Sequence, residues 1–259
     1  MSEPILPTPM NFRCNICGRD VSYPRPEDLT REGAFCPNCG SNVRIRAIVH
    51  LLGQAMHVGS LPMYKWVKTN RSVYGVSDWH AFGAMLTEVC DYVNTQFDVD
   101  LYPNAIFLDV ANPSAGFRRV ADIVICSEVL EHVAPPIQRA FDGLFLMLRP
   151  GGHLIFTVPY TFDETVEHFP DLYDWQLSYE KDKFVLRNET RSGNEQVFEN
   201  LIFHGGGETV LEMRLFGLRH IVRCLKYAGF VDICVMDREV NESGIRFDLW
   251  SRAISARRP

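Results

Sequence analysis

Long apolar runs, lysine near the N-terminus and surplus positive charge are all scarce in this 259-residue chain. No apolar stretch approaches the roughly 20 residues that a membrane-spanning helix needs, so no membrane partner is expected. The opening MSEPILPTPMNF has neither the basic start nor the apolar run of a secretory signal. The cytoplasm is therefore the expected compartment. A net charge of −6 at pH 7 argues weakly against a large nucleic-acid footprint, though it does not exclude one. Disulfides are also unexpected. The 8 cysteines come without an export signal, so cysteines that pair in sequence read first as metal ligands. The length suits one full α/β core with about 50 residues over for a small module.

Two of the cysteine groups share a pattern. Cys14-Asn15-Ile16-Cys17-Gly18 and Cys36-Pro37-Asn38-Cys39-Gly40 are C-x-x-C-G units, the spacing at which a short turn aims two thiolates at one ion. Four cysteines close the coordination shell, so Cys14, Cys17, Cys36 and Cys39 are expected to hold a structural zinc in a ribbon over residues 1–43. The Pro-, Arg- and Asp-rich segment between them cannot fold alone, and the metal would supply its folding energy. Residues 1–50 hold six Arg and no Lys against Glu3, Asp20, Glu27, Asp28 and Glu32, a net of about +1 rather than a basic face. A ribbon that braces the next domain is favoured over one that touches nucleic acid. A helix is expected from Asn42 as N-cap to about His57, with Arg44 and Arg46 at its start.

Residues 44–259 alternate strand-like apolar runs with helical stretches, the pattern of a mostly parallel, doubly wound α/β sheet. The runs are Ser72–Val76, Asp91–Thr95, Ala105–Val110, Asp122–Cys126 and His153–Val158, then Val231–Met236 and a last strand near Ile245–Ile254. Helices are expected at about Ala81–Val89, Ile137–Leu148 and Leu218–Ala228. Ligands of such sheets bind beyond the carboxyl ends of the strands. The remaining Cys90, Cys126, Cys224 and Cys234 lie on or beside apolar runs and read as packed thiols.

Two segments carry a resemblance. Ala121-Asp122-Ile123-Val124-Ile125-Cys126-Ser127-Glu128-Val129-Leu130-Glu131-His132-Val133 resembles the fourth-strand segment of class I S-adenosylmethionine-dependent methyltransferases. Leu146-Met147-Leu148-Arg149-Pro150-Gly151-Gly152-His153-Leu154, running on to Val158-Pro159, is similar to their L-K-P-G-G-x-L fifth-strand motif. The resemblance, to the type 11-like branch, covers roughly residues 45–259. It implies a Rossmann-like seven-stranded fold, S-adenosylmethionine as cofactor and methyl transfer as the activity.

The departure from the family lies at the cofactor loop. An acidic residue and G-x-G-x-G are usual there, but this chain reads Val73-Tyr74-Gly75-Val76-Ser77-Asp78-Trp79-His80. Gly75 stands where the acid belongs, and Ser77 and Trp79 replace loop glycines. A compensation is open: Asp78 for the cofactor's ammonium and the Ser77 hydroxyl for its carboxylate. Asn94-Thr95 replaces the ribose-binding acid, Asp109 with Val110 matches the adenine position, and Ser127, Glu128 and His132 line the far side. The variant resembles one found in bacterial methyltransferase-like proteins. A site that has lost its cofactor is the alternative.

The long insertion at 160–216 is expected to be a substrate lid. It has β-rich pieces at Asp174–Arg187 and Glu195–His204, a turn at 191–194, and Gly205-Gly206-Gly207 as a turn or hinge. Its aromatics Tyr160, Phe162, Phe169, Tyr173, Trp175 and Tyr179 are expected to be mostly lid core. Methyl transfer to a hydroxyl gains from a general base. Glu167-His168 is the preferred pair, with Tyr160 beside it and His204 a weaker candidate. No N-P-P-Y follows the fourth strand, as it does in the family's nucleobase amino-methyltransferases. The expected acceptor is therefore an oxygen, or an activated carbon, of a small molecule or sugar. The alternatives are an RNA methyltransferase, since a bacterial enzyme of large ribosomal RNA similarly joins a zinc ribbon to this fold, and a non-catalytic binding protein. Oligomeric state is not readable.

Overall fold

The computed structural model describes residues 9–23, 30–33, 35–100, 102, 105–204, 210–246 and 251–259. The Gly205-Gly206-Gly207 segment lies outside them. Strands β1 (Met10–Arg13) and β2 (Asp20–Tyr23) pair as an antiparallel hairpin around the first cysteine knuckle. After the second knuckle comes α1 (Val43–Ala55), capped as expected by Asn42, whose Oδ1 accepts from the Ile45 amide at 2.9 Å.

The elements of the α/β domain then run β3 (Ser72–Val76), α2 (His80–Thr87), β4 (Asp91–Gln96), β5 (Ile106–Phe107), β6 (Ala121–Ser127), α3 (Gln138–Met147) and β7 (Leu148–Thr157). The insertion holds β8 (Tyr160–Thr161), β9 (Val166–Glu167), β10 (Asp174–Glu180), β11 (Lys183–Glu189), β12 (Glu195–Phe198), β13 (Phe203–His204), β14 (Val210–Leu211) and β15 (Arg214–Gly217). The chain closes with α4 (Leu218–Ala228), β16 (Val231–Val235) and β17 (Ile254–Arg257).

One sheet organises the domain, in the order β16-β17-β7-β6-β3-β4-β5. Its strands pair in parallel except β17, which is antiparallel to both neighbours. This is the seven-stranded, doubly wound fold that the motifs implied. Strand order reverses between β3 and β6, so a crevice opens beyond their carboxyl ends, at residues 77–79 and 127–132. Branched and aromatic side chains fill both faces; Phe141, Leu144 and Phe156 are fully buried. No helix of the described residues is long and apolar enough to cross a membrane.

The ribbon is continuous with the domain core. Phe12, Cys14, Ile16 and Val21 join one apolar cluster with Ile48 and Leu52 of α1 and Val73, Phe82 and Ile155 of the domain. Arg46, fully buried, donates to the Gly244 and Ser41 carbonyls and sits 4.8 Å from the Phe12 ring centre. These bonds satisfy a cation taken out of water.

Some expectations need correction. The third run forms a ladder only over β5, because Asp109 breaks the pattern and turns the chain; its Oδ1 accepts from the Ala111 amide at 2.9 Å. Of the last expected strand, residues 247–250 lie outside the described residues; among those described, β17 runs Ile254–Arg257 and Ile245 makes an isolated bridge to Val240. Cys90, Cys126 and Cys224 are buried, but Cys234 is exposed, since β16 is the sheet's edge. In the insertion, Tyr160 and Phe169 are core, while Phe162, Tyr173, Trp175 and Tyr179 are exposed.

Candidate active site and metal centre

The four ribbon sulfurs lie within 4.8 Å of one another, with Cys14–Cys39 at 3.7 Å and Cys17–Cys36 at 3.6 Å. A tetrahedral ion with Zn–S bonds of about 2.3 Å has edges of about 3.8 Å, so the donor set fits zinc. Gly18 and Gly40 close the knuckles at φ 72 and 71, with their amides donating to the Cys14 and Cys36 carbonyls.

The loop after β3 is held from several sides. Ser77 takes a left-handed φ of 57 and donates its amide to the Thr95 carbonyl at 2.8 Å. Asn94 Oδ1 accepts from the Asp78 amide at 3.1 Å, and its Nδ2 donates to the Asp78 carbonyl at 2.9 Å. The Tyr92 hydroxyl donates to Asp78 Oδ2 at 2.9 Å. A side chain on Gly75 would collide with this carboxylate and with the Tyr92 hydroxyl. Asp78 thus folds back over the end of β3, and Gly75 is what makes room for it. The acidic group missing from the strand is returned to it from the loop. Burial pushes the Asp78 carboxyl up to about 7, opposed by the Tyr92 hydrogen bond and the Arg44 cation.

Other expected cofactor residues divide. Asn94 and Thr95 make their hydrogen bonds to the end of β3 and its loop. Asn94 clamps the Asp78 backbone, and Thr95, fully buried, donates Oγ1 to the Gly75 carbonyl at 2.9 Å. Gln96, the last residue of β4, is a further buried polar side chain at that strand end. Val110 is buried; Asp109, half-buried, uses Oδ1 within its own turn and keeps Oδ2. Trp79, half exposed, rests its ring against Gly40 of the second knuckle rather than in the crevice.

Across the crevice, Ser127 Oγ accepts from Arg44 Nη1 at 2.5 Å and shares a hydrogen bond with Thr157 Oγ1 at 2.8 Å. Glu128, at a left-handed φ of 56, pairs with Arg31. Both arginines come from the ribbon side of the chain. Residue counts in the sequence registered their charge but not their inward direction.

The insertion brings a second cluster to the turn after β6. Glu212, buried, accepts from His168 Nε2 at 2.6 Å on one oxygen and from His204 Nε2 on the other. The His204 ring lies 5.9 Å from that of His132, whose Nδ1 donates to the Leu211 carbonyl at 2.9 Å. Burial lowers the His132 pKa, and Glu131 beside it is pushed up by burial. The expected Glu167–His168 partnership does not form. Neighbours on an extended chain point to opposite sides, and Glu167 instead accepts from Arg214 Nε at 2.8 Å. Arg214, wholly buried, also donates to the Leu130 and Val133 carbonyls, tying the insertion to the turn after β6. Tyr160 is fully buried, its hydroxyl accepting from the Arg252 amide at 3.2 Å. Glu212 was missed in the sequence, where its one visible sign is a carboxylate inside the apolar run Val210–Phe216.

A family model described as a methyltransferase domain matches residues 84–235, beginning inside α2 just after the variant loop. Comparison with curated proteins gives no match. Among solved structures, the chain is similar to a sugar N-methyltransferase of Streptoalloteichus (13% identity, 90% of this chain and 89% of that one, TM-score 0.48). It is also similar to an S-adenosylmethionine-dependent methyltransferase of Clostridium acetobutylicum (11%, 83% and 91%, TM-score 0.48). With the family match spanning more than half of the sequence, the chain belongs to the methyltransferase-domain family, the S-adenosylmethionine-dependent class that its two motifs resemble.

Proposed function

We propose that this methyltransferase binds S-adenosylmethionine in the crevice between the ends of β3 and β6 and methylates a hydroxyl oxygen of a small molecule or sugar. The observation that carries the choice of oxygen is the His168–Glu212–His204 cluster. A carboxylate that accepts from Nε2 of both rings fixes the proton there, and leaves Nδ1 of the half-exposed His204 as the basic atom. A hydroxyl acceptor must lose its proton as the O–C bond forms, and Nδ1 of His204 is the group to receive it. Glu212 then stabilises the imidazolium. His132 forms the adjoining wall.

The cofactor supplies an electrophilic methyl on a sulfonium. Ionised Asp78 suits its ammonium, the free oxygen of Asp109 the adenine amine, and Gln96 the ribose hydroxyls. Gly75 and Ser77 shape the loop, with Ser127 and Glu128 opposite. Residues 1–43 form the ribbon unit, in which Cys14, Cys17, Cys36 and Cys39 hold zinc in a structural role, and residues 44–259 form the methyltransferase domain with 160–216 as lid. An RNA acceptor loses support because Arg31, Arg44 and Arg46 turn inward, and the net charge of the chain is −6 at pH 7.

The test is a panel of polyhydroxylated and phenolic acceptors with methyl-labelled cofactor. His204→Ala should lower kcat by about 10²–10⁴ with cofactor affinity unchanged. Turnover on amines alone, with His204→Ala fully active, would reject the oxygen reading.

A further inference from the structure

Two arginines beside the cysteine knuckles, Arg31 in the ribbon and Arg44 in α1, reach the strand ends. Arg44, in the first turn of α1 just after the second knuckle, sends Nη1 to Ser127 at the end of β6. Its cation also faces Asp78 and Glu128. Glu32 aims it, accepting from Nε at 2.7 Å and Nη2 at 3.0 Å, a two-point grip on a planar group. Arg31, between the two knuckles, pairs with Glu128, and its carbonyl accepts from the Arg44 amide at 3.2 Å. Its Nε is buried without a hydrogen-bond partner. Ser41 Oγ touches the Cys14 and Cys39 sulfurs, and the Trp79 ring of the cofactor loop rests on Gly40. Arg31 and Arg44 each lie five residues from a knuckle cysteine, Cys36 and Cys39, and Gly40 and Ser41 lie one and two residues after Cys39.

We propose that the zinc ribbon is a working part of the cofactor site: Arg44, with Arg31 beside it, takes the cofactor's carboxylate at the β3–β6 crevice, and metal loading of the four cysteines controls cofactor binding by holding both arginines there. The inference rests on the crevice being the cofactor site. The amino-acid end of the cofactor carries one positive and one negative charge, and the crevice offers Asp78 and Arg44 as a matching pair. Two sources of positive charge from a small module are otherwise an expensive way to brace a helix, since each must be desolvated.

The test is calorimetric titration of zinc-loaded protein with S-adenosylhomocysteine and with 5′-methylthioadenosine, which lacks the amino-acid end. Arg44→Met should weaken the first ligand roughly 10- to 100-fold, the worth of a charge-assisted pair, and leave the second unchanged. Chelation of the zinc should do the same, with the sheet's far-ultraviolet spectrum retained. Glu32→Gln, which loosens the grip without removing the cation, should give a smaller loss of the same selectivity, and decides the matter if Arg44→Met does not fold. Equal affinity of the variants and wild type for S-adenosylhomocysteine, or equal loss of both ligands, would overturn the proposal while leaving the cofactor site in place. Failure of wild type to bind either ligand would remove the cofactor site itself, and the proposal with it.

Discussion

Cofactor affinity should depend steeply on pH, because Asp78 is a buried carboxyl whose ionisation is finely balanced. Its pKa is raised from 3.8 to about 7 by burial, while the Tyr92 hydroxyl and Arg44 pull the other way. If the ionised form receives the cofactor's ammonium, Kd should rise by up to about tenfold for each pH unit below 7. The assay is titration with S-adenosylhomocysteine between pH 7.5 and 5.5, with zinc retention checked at each point. Asp78→Asn should bind weakly at pH 7.5 and lose the slope. Stability supplies a second readout of opposite sign. A carboxyl whose pKa rises on folding destabilises the fold once it ionises, so the free protein should lose stability as pH climbs from about 4 to 7. A shift of roughly three units, at about 1.4 kcal/mol each, sets an upper limit of about 4 kcal/mol. Asp78→Asn, which keeps a hydrogen-bond acceptor for Tyr92, should therefore raise Tm at pH 8 and leave it nearly unchanged at pH 4. A flat wild-type binding profile, or a slope retained in Asp78→Asn, refutes the assignment.

Further outcomes follow from the same geometry. Gly75→Ala should abolish cofactor binding, since the added methyl displaces the Asp78 carboxylate and the Tyr92 hydroxyl; wild-type affinity in this variant would contradict the packing described. Glu212→Gln should move the pH–rate profile of kcat and lower its plateau without altering cofactor affinity, whereas a purely structural Glu212 would change Tm alone. Metal analysis should find one zinc per chain, and Cys36→Ser should lower both zinc content and Tm; a full complement of zinc in that variant would reject the four-sulfur site. Phe141→Ala, in the wholly buried face of α3, should cost about 3–5 kcal/mol in denaturant unfolding.

The sheet was legible because its strands are short apolar runs bounded by polar turns, and Ser72–Val76 and Leu218–Ala228 have the bounds the sequence implied. Asn42 was legible as a cap because capping is a local bond. The cysteine knuckles were legible because ligand spacing is itself local. What stayed hidden depends on direction and long separation. The sequence places Asn94 at the ribose position, and only the folded loop shows both ends of its amide engaged by the Asp78 backbone. Glu167 and His168 are adjacent in sequence yet serve Arg214 and Glu212, 47 and 44 residues away. Arg31 and Arg44 added two units to a charge count, while their reach of 97 and 83 residues to Glu128 and Ser127 is a property of the packed ribbon.

The central claim is most directly tested by equilibrium binding of S-adenosylmethionine to the zinc-loaded protein, alongside Asp78→Ala. The account predicts one site of micromolar affinity, about −8 kcal/mol, that is lost or strongly weakened in the variant. Correctly folded, zinc-loaded protein that binds no cofactor would contradict it.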